Sequence, residues 1–353
     1  MGKNNYAYQI DTLRFIAMLS IFCNHCTFFN NNADTSVFFE NYFHYGGIGV
    51  EFFLLLSGFL AAYTYKEGTD VKSYIKKRFF RLFPVHLFCL LFFIPLLWHN
   101  FSAKGLVSFF MTSTLTQSFT PYTWSTFNGA SWTISTLWLL YLITPKVVRK
   151  LHTIESKKLL ISISFFVIGG FVVNHLYYDT NTVTIWFFYI SPFYRIITFV
   201  EGIILAELVK KHREIYDSFT QNTKTCCEIV VIGLFCIELL LISKYSHFGY
   251  NYTLVMLGVI GIFFMGGGYL SKILSNSLLV KASKISFSFY LIHYFVTTLF
   301  SDLCVRYLSI EPTVAHLTLL FFVDLFTTFV LAILIHTFIE KRFTTYLLNK
   351  YTK

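Results

Sequence analysis

The spacing of the charges constrains this chain more than any other feature. Apolar runs of about twenty residues follow one another, the length a helix needs to cross the hydrocarbon core of a bilayer. Short basic blocks separate the runs. Hydrophobic residues make up 55% of the chain and charged residues 13%, with a mean hydropathy of +0.60. This balance excludes a water-soluble globular domain and a disordered chain. It predicts an all-α, polytopic integral membrane protein. Ten transmembrane helices are read, at 10–29, 46–65, 79–98, 130–145, 158–176, 184–208, 226–243, 250–270, 285–305 and 315–338. The fourth is short and is expected to extend upstream. Residues 99–129, rich in Ser, Thr, Phe and Tyr, are read as an outer segment forming a partly re-entrant cap. A single membrane domain over 1–353 is expected, with no appended soluble domain.

Lysine and arginine set the orientation, because cytoplasmic loops carry the excess of positive charge. If the N-terminus is inside, the outer loops hold only Lys104, Lys244 and Arg306 out of 28 basic residues. Arg14 and Arg195 lie within spans, and all the others fall in inner segments. Both termini are therefore expected in the cytoplasm. The formal net charge of +10 reads as this topology signal, not as a nucleic-acid surface. The N-terminus lacks a basic region, a short apolar core and a small-residue cleavage site, so the first span is expected to be its own insertion signal. The seven cysteines are odd in number and mostly lie in apolar runs, so no disulfide framework is expected. Cys23, His25 and Cys26 lack a second ligand pair at metal-site spacing, so no metal is expected either.

Ionisable groups at membrane depth are functional candidates by default. Arg14 and His25 lie eleven residues apart, within about 20° of whole helical turns, and so share a helix face with a rise of about 16 Å between them. Asp11 lies one turn before Arg14, in reach of an ion pair. With the N-terminus inside, Arg14 falls near the cytoplasmic surface and His25 in the outer part of the bilayer. Glu51 enters the second span at a depth similar to that of His25, where an acidic partner would fix the imidazole tautomer and raise its basicity. Gly46, Gly47 and Gly49 permit close helix approach there. Arg78 and Arg81, one turn apart at the cytoplasmic start of the third span, anchor topology and also make a phosphate clamp. Pro84 is expected to break or kink that helix. Arg195, Glu201, His293 and Asp324 are further buried candidates. The mid-membrane Arg195 needs a counter-charge that sequence does not identify.

Several motifs occur in a specific order: "IDTLRFIAMLSIFCNH", "GGIGVEFFLLLSGFL", "RFFRLFP", "SWTISTLWLLYLITP", "RIITFVEGIILAELVKK", "SKISFSFYLIH" and "FIEKRF". The series resembles acyltransferase family 3 of integral membrane proteins over nearly the whole chain. Three positions depart from the family pattern. Leu137 stands where the family carries a glutamate, Thr133 where it carries a serine, and Arg342 where it carries a proline. The resemblance implies transfer of an acyl group, usually acetyl from acetyl-coenzyme A (acetyl-CoA), to a hydroxyl of a cell-surface glycan such as a capsule, exopolysaccharide or O-antigen. It places the protein in the bacterial cytoplasmic membrane. Its implied partners are the lipid bilayer, acetyl-CoA and a glycan or lipid-linked saccharide acceptor. No nucleic acid is among them, and a homo-oligomer is left open.

Joined to the topology, the resemblance gives each residue a role. Arg14, Arg78 and Arg81 are expected to hold the coenzyme phosphates. His25, oriented by Glu51, is the expected general base. Asp11, Ser57, Trp132, Arg195, Tyr290 and His293 are expected to contact the substrate. The competing reading is a polytopic transporter or flippase for a polysaccharide precursor, using Arg195, Glu201, His293 and Asp324 as a charged pathway. The absence of a visible internal repeat weighs against it. A scaffold subunit of a polysaccharide assembly complex is a third reading.

Overall fold

In the computed structural model, residues 7–66, 68–95, 102–177, 181–242, 252–301, 307, 309 and 311–351 are described, and these form helices and turns without strands. The longer α-helices are α1 (Tyr8–Asn24), α2 (Ile48–Tyr63), α3 (Val71–Leu91), α4 (Ala103–Ser113), α5 (Trp132–His152), α6 (Ser156–Tyr177), α7 (Pro192–Asp217), α8 (Gln221–Ile242), α9 (Thr253–Met265), α10 (Ser286–Tyr294), α11 (Val314–Ile335) and α12 (Thr344–Tyr351). The readings that placed Lys3, Lys244, Arg306 and Lys353, and the span ends at 96–98, 243, 250–251 and 302–305, lie outside the described residues.

Four described stretches are long and apolar enough to cross a membrane: Tyr8–Asn31, Ala33–Tyr63, Ser156–Tyr177 and Val314–Tyr351. Two of them carry an uncovered apolar face at helical spacing. Ile161, Phe165 and Ile168 are exposed on α6, and Leu319, Phe322, Phe326 and Ile333 on α11. In water such stripes would drive aggregation, whereas hydrocarbon covers them at no loss.

Two helices differ from the sequence reading. α5 grows downstream, through Pro145 to His152, and does not extend upstream. Upstream of it the chain makes a tight turn, Gly129–Ser131, entered through Asn128, whose side chain accepts from the Ala130 N–H. The apolar criterion stops at the first lysine, but a helix leaving the bilayer needs no further apolar residues. α3 likewise runs unbroken through Pro84. Its start is fixed by Asp70, which accepts from the Lys72 and Ser73 N–H groups at 3.3 and 2.8 Å and so satisfies the free donors of the first turn.

The chain forms two compact units and passes between them repeatedly. The first comprises Met1–Ile16, Val50–Thr69 and Leu139–Lys284; the second comprises Ala17–Gly49, Asp70–Trp138 and Ile285–Lys353. In the first unit α2 and α7 touch backbone to backbone. A Cβ on Gly58 would run into the Phe199 carbonyl, and one on Gly202 into the Leu55 carbonyl. Only glycine allows this approach, the small-residue packing that membrane helices use in place of a hydrophobic driving force. In the second unit the end of α1 is stitched to the turns before α2. Ser20 Oγ lies 3.2 Å from the Gly46 carbonyl, and Asn24 donates to the His44 carbonyl.

Gly202→Ala is therefore expected to destabilise the purified protein by about 1–3 kcal/mol through overpacking, seen as a lower unfolding temperature in detergent. Gly169→Ala, with nothing within 4 Å of the added carbon, is expected to be neutral or to gain about 0.5–1 kcal/mol from helix propensity.

Candidate active site

The polar residues that sequence places at membrane depth sort into the two units. His25, Arg78, Arg81, Trp132, Tyr290 and His293 belong to the second; Asp11, Arg14, Glu51, Ser57 and Arg195 belong to the first.

In the second unit two histidines meet. His25 follows the last residue of α1 and is still wound onto it, its backbone N–H reaching the Ile21 and Phe22 carbonyls at 3.2 and 3.1 Å. Its Nδ1 lies 2.9 Å from the Ile21 carbonyl oxygen and 3.2 Å from His293 Nε2. His293, on α10 and 1% exposed, places its own Nδ1 2.6 Å from the Tyr290 carbonyl oxygen. These contacts determine the proton positions. A carbonyl oxygen only accepts, so each Nδ1 facing a carbonyl carries the hydrogen. Neutral His293 then has its lone pair on Nε2, where it accepts from the His25 Nδ1–H, which is shared with the Ile21 carbonyl. Neutral His25 in turn has its lone pair on Nε2. The imidazole centroids are 5.0 Å apart, and the Tyr294 ring stands edge-on to His25 at 5.2 Å.

Behind α10 lies the turn that precedes α5. The Tyr290 hydroxyl donates to the Ala130 carbonyl at 2.9 Å, and Thr133 Oγ1 donates to the Tyr290 hydroxyl at 2.9 Å. Trp132 is buried at the first position of α5. The segment read as an outer cap holds α4 followed by buried polar turns. There Gln117 Nε2 donates to Ser131 Oγ at 3.1 Å, and the Ser118 and Ser135 hydroxyls lie 2.7 Å apart. On α3, Arg78 lies over the Tyr74 ring at 5.2 Å, and Arg81 is exposed one turn further on.

The first unit holds a buried ion pair. Glu51 and Arg195, 4% and 1% exposed, are in direct contact. Glu51 Oε1 also accepts from Thr198 Oγ1 at 3.1 Å and lies 3.3 Å from Thr253 Oγ1, and Arg195 Nε donates to the Tyr189 carbonyl at 2.7 Å. The counter-charge that Arg195 requires is thus Glu51. The group set against the His25 ring is His293, whereas the sequence reading assigns Glu51 that place. A shared depth along two helices does not decide which way a side chain points. Arg14 and Asp11 form the ion pair that their spacing predicts, at 3.0 Å. Ser57 is half-buried on α2. Sequence reasoning passes over Asn128, Thr133 and Ser135 as site residues, because small polar residues, whether in a Ser- and Thr-rich loop or at a helix start, carry no signal of their own.

A histidine with its tautomer set by carbonyl contacts and a nitrogen uncommitted among the described residues suits proton abstraction from a hydroxyl. Residues 7–337 match the model of a family described as an acyltransferase domain. The chain belongs to this acyltransferase family. A relative is the peptidoglycan O-acetyltransferase OatA of Listeria monocytogenes serovar 1/2a, 24% identical over 337 residues, covering 84% of this chain and 50% of that protein. The acyltransferase chain thus spans about half the length of the curated relative it matches. No solved structure matches it.

Removing one partner of a buried ion pair leaves an uncompensated charge and costs about 3–5 kcal/mol. Arg195→Met is therefore expected to lower the yield and unfolding temperature of the acyltransferase sharply. Combining it with Glu51→Gln is expected to recover part of the loss, measured by unfolding in detergent.

Proposed function

We propose that this acyltransferase is a membrane O-acetyltransferase that moves an acetyl group from cytoplasmic acetyl-CoA to a hydroxyl of a cell-surface glycan. The observation that carries the reading is the geometry at the two histidines: each Nδ1 faces a backbone carbonyl and His293 Nε2 faces His25 Nδ1, an arrangement in which a neutral His25 has its lone pair on Nε2. The family supports acyl transfer, and the similarity to the peptidoglycan O-acetyltransferase OatA supports a glycan acceptor, with peptidoglycan beside capsule, exopolysaccharide and O-antigen. The distribution of lysine and arginine supports ten spans with both termini inside, in a bacterial cytoplasmic membrane.

In this mechanism His25 Nε2 takes the proton from the acceptor hydroxyl as its oxygen attacks the thioester carbonyl. The His25 Nδ1–H stays directed at His293 Nε2 and the Ile21 carbonyl, so the growing positive charge on the ring is met by two acceptors. The tetrahedral intermediate needs a donor for its oxyanion, and Trp132 takes that role. Collapse breaks the carbon–sulfur bond, and the departing thiolate takes the proton back from His25, which restores the neutral ring. Arg78 and Arg81 hold the coenzyme phosphates through charge-assisted hydrogen bonds. Glu51 and Arg195 act as structural anchors of the first unit, where Asp11 also occupies Arg14.

Two measurements test this. His25→Gln is expected to lower transfer of labelled acetyl from acetyl-CoA by about 10²–10⁴-fold, the usual range for general-base help, with unfolding unchanged. Wild-type transfer by this variant would end the proposal. Arg78→Ala and Arg81→Ala are each expected to raise the KM for acetyl-CoA about tenfold or more, from the loss of a hydrogen bond worth about 1.5–3 kcal/mol, with kcat little changed. An unchanged KM would leave both arginines to topology alone.

A further inference from the structure

We infer that Asn128 is a positioning residue that holds His293 in register against His25, by bonding the one turn of α10 where the helix changes its winding. This rests on the role of His25 and His293 proposed above.

α10 does not simply continue. At Tyr294 it passes directly into a wider, π-type stretch, Phe295–Phe300. Such single-turn changes accompany functional sites, because they redirect side chains and disturb the regular hydrogen-bond ladder. Here the Phe295 N–H turns to the Ile292 carbonyl, three residues back. A regular α-helix would send it to Leu291. The Leu291 carbonyl receives the Asn128 side chain, Nδ2 donating at 2.7 Å across 163 residues of sequence. Asn128 is 2% exposed, so no water competes for this bond.

The same turn touches α10 at two further points. The Ala130 carbonyl takes the Tyr290 hydroxyl at 2.9 Å. Gly129 lies flat against Tyr294, where an added Cβ would stand 2.5 Å from the ring Cζ. Residues 128–130 thus grip Tyr290, Leu291 and Tyr294. His293 sits inside that grip. Its Nδ1–H is directed at the Tyr290 carbonyl, and its Nε2 reaches His25. The His25 ring also packs on Tyr294. A small rotation of this turn would swing His293 Nε2 away from the His25 Nδ1–H. The His25 Nδ1–H would then keep only the Ile21 carbonyl as an acceptor for the charge that grows on the ring during transfer.

Asn128→Asp isolates the bond in question. The carboxylate can still accept from the Ala130 N–H, as Asn128 Oδ1 does at 3.2 Å, but it cannot donate to Leu291. The test is a double-mutant cycle in the full chain, comparing native protein, Asn128→Asp, His293→Ala and the double variant for acetyl transfer from acetyl-CoA. Each single change is expected to lower kcat about tenfold to a hundredfold, the scale of a misplacement of about 1 Å, with the KM for acetyl-CoA unchanged. The double variant is expected to be no slower than His293→Ala alone, because groups acting through one another are not additive. Two results overturn the inference: native kcat in Asn128→Asp beside an impaired His293→Ala, or a double variant slowed by the product of the two single effects, which marks independent structural damage. Native kcat in His293→Ala would instead refute the His25–His293 reading itself. If Asn128→Asp fails to fold, Asn128→Ser, whose hydroxyl can accept from the Ala130 N–H but ends one bond short of the position from which Nδ2 donates to Leu291, takes its place in the same cycle, and the same two results overturn the inference.

Discussion

A carbonyl oxygen cannot donate a hydrogen, and the chemistry proposed for this protein depends on that limit at two points. The Ile21 and Tyr290 carbonyls each face a histidine Nδ1, at 2.9 and 2.6 Å. Each therefore fixes the hydrogen on that nitrogen, and the two rings are left with their lone pairs on Nε2. One lone pair is consumed between the rings, at 3.2 Å. The other, on His25, is the proposed base. A carboxylate partner would orient an imidazole equally well and add a buried negative charge, which is expensive away from water. A histidine–histidine contact orients the ring without net charge, an advantage in a chain built for lipid.

Two buried charges of the first unit are matched to each other. Glu51 and Arg195 pair with each other and fill their remaining capacity with Thr198, Thr253 and the Tyr189 carbonyl. The close approach of α2 and α7 at Gly58 and Gly202 belongs to the same two helices that carry this pair. Packing without side chains and a neutralised ion pair are two answers to one problem, which is to hold helices together where the solvent is as apolar as their surfaces. Glu201, on the same helix as Arg195, is fully buried, and neither carboxyl oxygen has a hydrogen-bond partner among the described residues.

Much of this can be read from the sequence, and the failures have a common cause. The helices follow from apolar runs, and His25, Arg195, Glu51 and His293 stand out because polar groups at depth need a reason. The Asp11–Arg14 pair follows from a single turn of helix. Partners on other helices do not follow. His25 and His293 are 268 residues apart and Glu51 and Arg195 are 144 apart. Depth places such groups in a layer but leaves their azimuth open, and so depth alone does not identify Arg195 as the partner of Glu51. The continuation of α3 through Pro84 and of α5 through Pro145 shows that proline removes one donor without ending a helix that packing holds. Asn128 is invisible for a different reason. Its importance comes from an irregularity in the winding of α10 that no periodicity in the sequence announces.

Nitrogen NMR of the protein labelled at histidine tests the central claim directly, because it reports which ring nitrogen carries the hydrogen. For neutral His25 the account predicts a protonated Nδ1 coupled across a hydrogen bond to an unprotonated His293 Nε2, and a bare Nε2 on His25. A hydrogen on His25 Nε2, or a His25 ring with no coupling to His293, would contradict it.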